Sequence, residues 1–130
     1  MSKMDFVTKL AFIAAGGALG SVARFLVNVS PIQRLFSSFP SATFTVNIVG
    51  SFLIGFLLII FADRITISEN LRFAVMVGFL GAFTTFSTFE LEVWGLIKED
   101  NYLTALAYVV LSVALGFFGL IAGVWLARKF

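Results

Sequence analysis

Residues 78–90 read GFLGAFTTFSTFE and place four hydroxyls, Thr84, Thr85, Ser87 and Thr88, within five positions. Gly78 and Gly81 precede them, and Phe86 and Phe89 are set among them. Each glycine weakens a helix by about 1 kcal/mol relative to alanine. Threonine and serine side chains compete for backbone carbonyls. Together they predict a break in the helix near residues 81–88. Carbonyls freed inside a membrane are tolerated only when buried in protein or turned toward ions or water. Such carbonyls suit a cation, and the positive end of the following half-helix suits an anion. Phe86 and Phe89, three residues apart, are expected to point the same way, with ring edges that carry partial positive charge.

Two further stripes offer related chemistry. Thr43, Asn47 and Ser51 recur every fourth residue with Gly50 beside them, and Thr104, Tyr108 and Ser112 repeat the spacing. One such stripe is ordinary interhelical glue; two in a small protein favour more than packing. Their hydroxyls and amide donate hydrogen bonds without a full positive charge. That combination suits a small anion which must shed water without being trapped. No acid lies at the centre of the segments that carry these stripes, so a proton-coupled carboxylate has no place there. Gly16, Gly17 and Gly20 form a small-residue face of the kind that admits a second backbone. Arg24 follows them and is placed to snorkel toward the membrane surface.

The elements that position these residues follow from composition. Of 130 residues, 60% are apolar and 12% charged, with a mean hydropathy of +1.05, whereas a soluble domain is about a quarter charged. Lipid must therefore be part of the solvent. Four apolar segments, at about 6–29, 41–62, 71–97 and 102–127, each approach the roughly 20 residues that cross a bilayer as a helix. The expected fold is one all-α integral membrane domain, residues 1–130, with four transmembrane helices and the third broken mid-membrane. The chain contains no cysteine and no histidine, which removes disulfides, thiolate chemistry and the usual general base. With no nucleophile–base pair or metal cluster, an enzyme is not expected. A net charge of +2, thinly scattered, argues against nucleic acid. The N-terminal MSKMDFVTKL runs directly into apolar sequence, so a cleaved signal is not expected. Lys3, Lys9, Arg64, Arg72, Arg128 and Lys129 share one side, against Arg34, Lys98 and Arg24; the bias predicts cytoplasmic termini.

GFLGAFTTFSTF, with VN-x-x-G-S-F-x-x-G in the second span and G-x-x-G-x-x-x-R in the first, resembles the Fluc (CrcB-type) fluoride ion channel family. The resemblance covers all four spans, and the run TTFSTF after G-x-x-G is its most specific element. It implies a cell-membrane, multi-pass, dual-topology channel: two antiparallel copies with two fluoride pores along their interface. Fluoride leaks out passively, which protects a cell that takes it up as the neutral acid. By position, the resemblance makes Asn47 the pore asparagine, and Phe86 and Phe89 the pore phenylalanines. Thr43, Tyr108 and Ser112 fall on the polar track. The carbonyls of Gly81 and Thr84 fall where a structural sodium ion binds between the copies, and Arg24 where an arginine affects anion access.

Three features depart from the pattern. Glu90 stands where a serine is expected, and a carboxylate there repels an anion unless it is turned away, paired or protonated. Glu92, by contrast, matches an acid of the family. Gly116 continues the fourth-span stripe in place of a hydroxyl. The charge bias leaves two partners open, a second copy or an oppositely oriented paralogous subunit. Two other functions compete. A small proton-coupled multidrug exchanger needs an acid deep in the first span, where only Asp5 is offered, at its start. A non-conducting assembly subunit would use the stripes only to join helices.

Overall fold

A computed structural model describes all 130 residues. It contains only helices and connectors, and four helical stretches are long and apolar enough to cross a membrane: Lys3–Val29, Ser41–Arg64, Glu69–Lys98 and Tyr102–Ala127. The protein is a multi-pass membrane protein. Helix α1 (Lys3–Val29) opens on a reciprocal cap, in which the Asp5 amide donates to Ser2 Oγ (3.1 Å) and the Ser2 amide to Asp5 Oδ2 (3.0 Å). These bonds satisfy amides that the first helical turn leaves free. Helix α2 (Ser41–Ile59) starts after Pro40 and ends in a wider, π-type turn over Ile60–Arg64. Gln33, in the connector before it, accepts a hydrogen bond from the Ala42 amide at 3.2 Å, capping the helix from outside.

The third span is assembled from pieces. Helix α3 (Glu69–Phe73) passes into a π-type stretch, Ala74–Phe79, and then into the single turn α4 (Leu80–Phe83). Helix α5 (Ser87–Lys98) follows, and α6 (Tyr102–Ala127) forms the fourth span. Between α4 and α5, Thr84 is extended (φ −86°, ψ 157°).

Glycine contacts at two seams set the pairing of spans. A Cβ at Gly16 or Gly20 would run into the backbone of Ala74 or Phe79, so α1 lies backbone to backbone against the π-type stretch. A Cβ at Gly55 would meet the Leu120 carbonyl, and one at Gly123 the Phe52 carbonyl, which locks α2 to α6. In lipid, where apolar burial drives little association, such close approach supplies much of the attraction. The glycines of α1 are therefore a packing face. At the end carrying both termini, Lys9 pairs with Glu69 at 2.6 Å and lies 4.5 Å from the Phe73 ring centre. Only 20 residues are buried, and large apolar side chains such as Phe25, Leu106 and Phe117 face outward, as expected where the surroundings are lipid or another subunit.

Candidate functional site

Asn47 and Thr85 define the centre of the site. The Thr85 amide donates to Asn47 Oδ1 at 2.8 Å, and Asn47 Nδ2 donates to the Thr85 carbonyl at 3.0 Å. The orientation of the carboxamide is fixed by this pairing, because a backbone N–H can only donate. One side chain thus replaces both hydrogen bonds that the Thr85 peptide lacks outside a helix. Around it, Thr84 Oγ1 donates to the Leu80 carbonyl (2.9 Å), and Thr85 Oγ1 receives the Thr88 amide (3.2 Å), which starts α5. Two of the four hydroxyls of the TTFST run therefore serve the chain's own backbone, Thr84 closing α4 and Thr85 capping α5.

The carbonyls of Gly81 and Thr84 are left differently. The Thr85 amide, which in a continuous helix would donate to Gly81, is turned to Asn47 instead. The Thr84 carbonyl accepts no hydrogen bond, and neither does that of Gly81. Nothing stands within 4 Å of a Cβ built on Gly81. Both residues line an open concavity of about 520 Å³ with Asn47, Ser51, Thr85 and Phe86. Uncharged carbonyl oxygens freed from a helix are a donor set suited to sodium, so the residues present fit that ion.

Phe86 and Phe89 do not share an environment. Their ring centres are 5.8 Å apart and tilted by 40°, but Phe86 is 70% exposed while Phe89 is 7% exposed. Phe89 stacks on Tyr108 (5.0 Å, 21°) in the small core that includes Leu96 and Ala105. The two rings are neighbours, as their three-residue spacing suggests, but differ in exposure: Phe89 is turned into the core and Phe86 stays at the surface of the bundle.

Glu92 organises the second half of the site. Thr43 Oγ1 donates to its Oε1 and the Tyr108 hydroxyl to its Oε2, both at 2.7 Å. Thr43 and Tyr108 are almost wholly buried, so α2, α5 and α6 meet at one carboxylate. Sequence reading gave Glu92 no role beyond its match to the family pattern. The available signal was physical: an acid inside a span needs partners, and Glu92 lies three residues from Phe89, on the face that packs inward. Glu90 is exposed and forms no ion pair.

The remaining expected residues divide. Ser112 Oγ is buried without a hydrogen-bond partner. Gly116, one turn on, lies across from Ser51, whose Oγ is 3.6 Å from a Cβ built there. Thr104, the first member of the same stripe, instead lines an apolar groove with Phe36, Phe44 and Leu111. Arg24 is half-buried and makes neither a hydrogen bond nor an ion pair.

Fold and site together define a small polytopic membrane protein whose polar groups converge inside its spans and leave buried or freed oxygen atoms there. Residues 11–124 match the family described as CrcB-like protein, Camphor Resistance (CrcB). The chain belongs to this family. It is 47% identical over 124 residues to a protein of Caulobacter vibrioides, covering 95% of this chain and 98% of that one. It is 43% identical over 122 residues to a protein of Hahella chejuensis (94% and 96% covered) and 41% identical over 119 residues to one of Rhizobium meliloti (92% and 95% covered). Each of the three is named fluoride-specific ion channel FluC.

Proposed function

We propose that the protein is a passive, fluoride-selective ion channel and not an enzyme. The observation that carries this is its likeness, at 41–47% identity over nearly its whole length, to proteins named as fluoride channels. The geometry supports the same reading. Inside the spans the Ser112 hydroxyl has no partner of its own and keeps its proton free to donate, while the protons of Thr43 and Tyr108 are held by Glu92. A small anion that loses water gains a replacement hydrogen bond from a free hydroxyl of this kind.

In this reading Asn47, with one amide hydrogen left after its bond to Thr85, and the two phenylalanines line the path. Phe86 is exposed in a single subunit and becomes lining only when a second subunit covers it. The pore therefore lies between two antiparallel subunits, either two copies or this chain and a paralogue. The carbonyls of Gly81 and Thr84 would hold a structural sodium ion between the subunits, and the ion would supply fixed positive charge there. Arg24, unpaired and near the end of α1, attracts anions toward the mouth.

The test is reconstitution into liposomes with an electrode selective for the released ion. The expected result is rapid fluoride efflux with chloride efflux at background, and loss of flux when sodium is exchanged for a larger cation. Equal fluoride and chloride efflux would overturn the selectivity, and no efflux of either would leave the assembly-subunit function standing instead.

A further inference from the structure

We propose that the end of the bundle carrying both termini holds a site for the phosphate of an acidic glycerophospholipid, built around Arg64 and Arg72. Residues 61–67 and Arg72 enclose a cavity of about 270 Å³. Its walls come from both sides of the connector between the second and third spans. The π-type turn Ile60–Arg64 ends where Ile65 becomes extended, with the Ile65 amide held by the Ile60 carbonyl at 2.8 Å.

Each guanidinium is anchored by a backbone carbonyl and not by an acid. Arg72 Nη2 donates to the Phe61 carbonyl, and Arg64 Nη2 donates to the Arg128 carbonyl at 3.3 Å. These bonds fix the two side chains while leaving most of their N–H groups free. Neither arginine has a carboxylate partner. The chain's one ion pair is Lys9–Glu69, and Asp63, which also lines the cavity, pairs with neither. Two oriented, uncompensated guanidiniums on one cavity are a forked donor set for a phosphate.

The surroundings select a lipid over a free anion. Arg64 closes a membrane-spanning helix, at the depth where headgroups begin. Phe61, Ile65 and Ile67 supply apolar wall next to the charges. At the same end Lys129 lies 3.6 Å from the Trp125 ring centre, an aromatic anchor typical of the membrane interface. Six basic side chains face three acidic ones at this end, while toward the other end Arg24, Arg34 and Lys98 face Glu99 and Asp100. The excess positive charge is thus gathered around the cavity.

The test measures lipid retention by native mass spectrometry and thermal unfolding in neutral detergent, with phosphatidylglycerol or phosphatidylcholine added. Phosphatidylglycerol alone should be retained and should raise the unfolding temperature. Arg64→Gln with Arg72→Gln should weaken its binding about thirtyfold, since each cation near an anionic lipid contributes roughly fivefold. Arg34→Gln with Lys98→Gln, at the other end, should leave it unchanged. If the double variant does not fold, Arg64→Gln alone serves, because its anchor is an exposed carbonyl. Equal retention of both lipids, undiminished binding by the arginine variant, or equal stabilisation by inorganic phosphate would each overturn the proposal.

Discussion

The carboxamide of Asn47 lies edge to edge with the peptide of Thr85, donating 3.0 Å to its carbonyl and accepting 2.8 Å from its amide. A side chain of the second span thereby takes the place of two helical hydrogen bonds in the third. Asn47→Ala should leave the Thr85 amide and carbonyl unpaired inside the membrane, at about 1–3 kcal/mol for an unsatisfied buried group. The expected result is a clear fall in unfolding temperature in detergent, together with loss of fluoride efflux. An unchanged unfolding temperature would mean that the pairing contributes nothing to the fold.

Tyr108 has two separable roles, a stack on Phe89 and a hydrogen bond to Glu92. Tyr108→Phe keeps the ring and removes the bond, as Thr43→Val does from the other side of the carboxylate. Each should cost about 1 kcal/mol of stability, and efflux should slow in both. Because both act through Glu92, the double variant should be non-additive. Strict additivity in a double-mutant cycle would show that the carboxylate does not couple them.

The glycines predict opposite responses to the same change. Gly16→Ala forces a methyl group into the Ala74 carbonyl and should destabilise the subunit by about 1–3 kcal/mol. Gly81→Ala meets open space and should leave the unfolding of a single subunit unaltered. Its effect should fall on subunit association and sodium dependence, read by cross-linking and by efflux across a sodium series. If Gly81→Ala unfolds the subunit, or changes neither association nor sodium dependence, its carbonyl has some other role.

Phe86→Ala removes an exposed ring, whereas Phe89→Ala empties the contact with Tyr108. Truncation of a buried phenylalanine costs about 3–5 kcal/mol in a soluble core. Phe89→Ala should therefore lower both stability and flux, and Phe86→Ala flux alone. Equal destabilisation of the two variants would contradict their different burial.

Much of the architecture was readable because lipid simplifies the code. Four apolar runs marked the spans to within a few residues, since a helix is the only way a lone segment satisfies its backbone in a bilayer. The glycines of α1 were recognisable as small but not as partners of Ala74 and Phe79, because helical spacing does not say which neighbour approaches. The TTFST hydroxyls signalled competition for the backbone. What they could not disclose was that the Thr85 peptide would be completed by Asn47, 38 positions earlier in the chain. The fourth-span stripe misled in part. Its four-residue step drifts around a helix of 3.6 residues per turn, so Thr104 lines an apolar groove while Tyr108 points into the core. Glu92 and Glu90 are two positions apart in one apolar span, and only the packing of α5 on α2 and α6 shows which of them turns inward.

Asn47 and Thr85 belong to consecutive spans joined by a short connector. During insertion, the peptide that a lipid environment would penalise most can find its partner as soon as the second and third spans form a helical hairpin. No later element is needed. A subunit can thus leave the insertion machinery with the amide and carbonyl of Thr85 already paired. The exposed ring of Phe86 and the free carbonyls of Gly81 and Thr84 are then left open on one concavity.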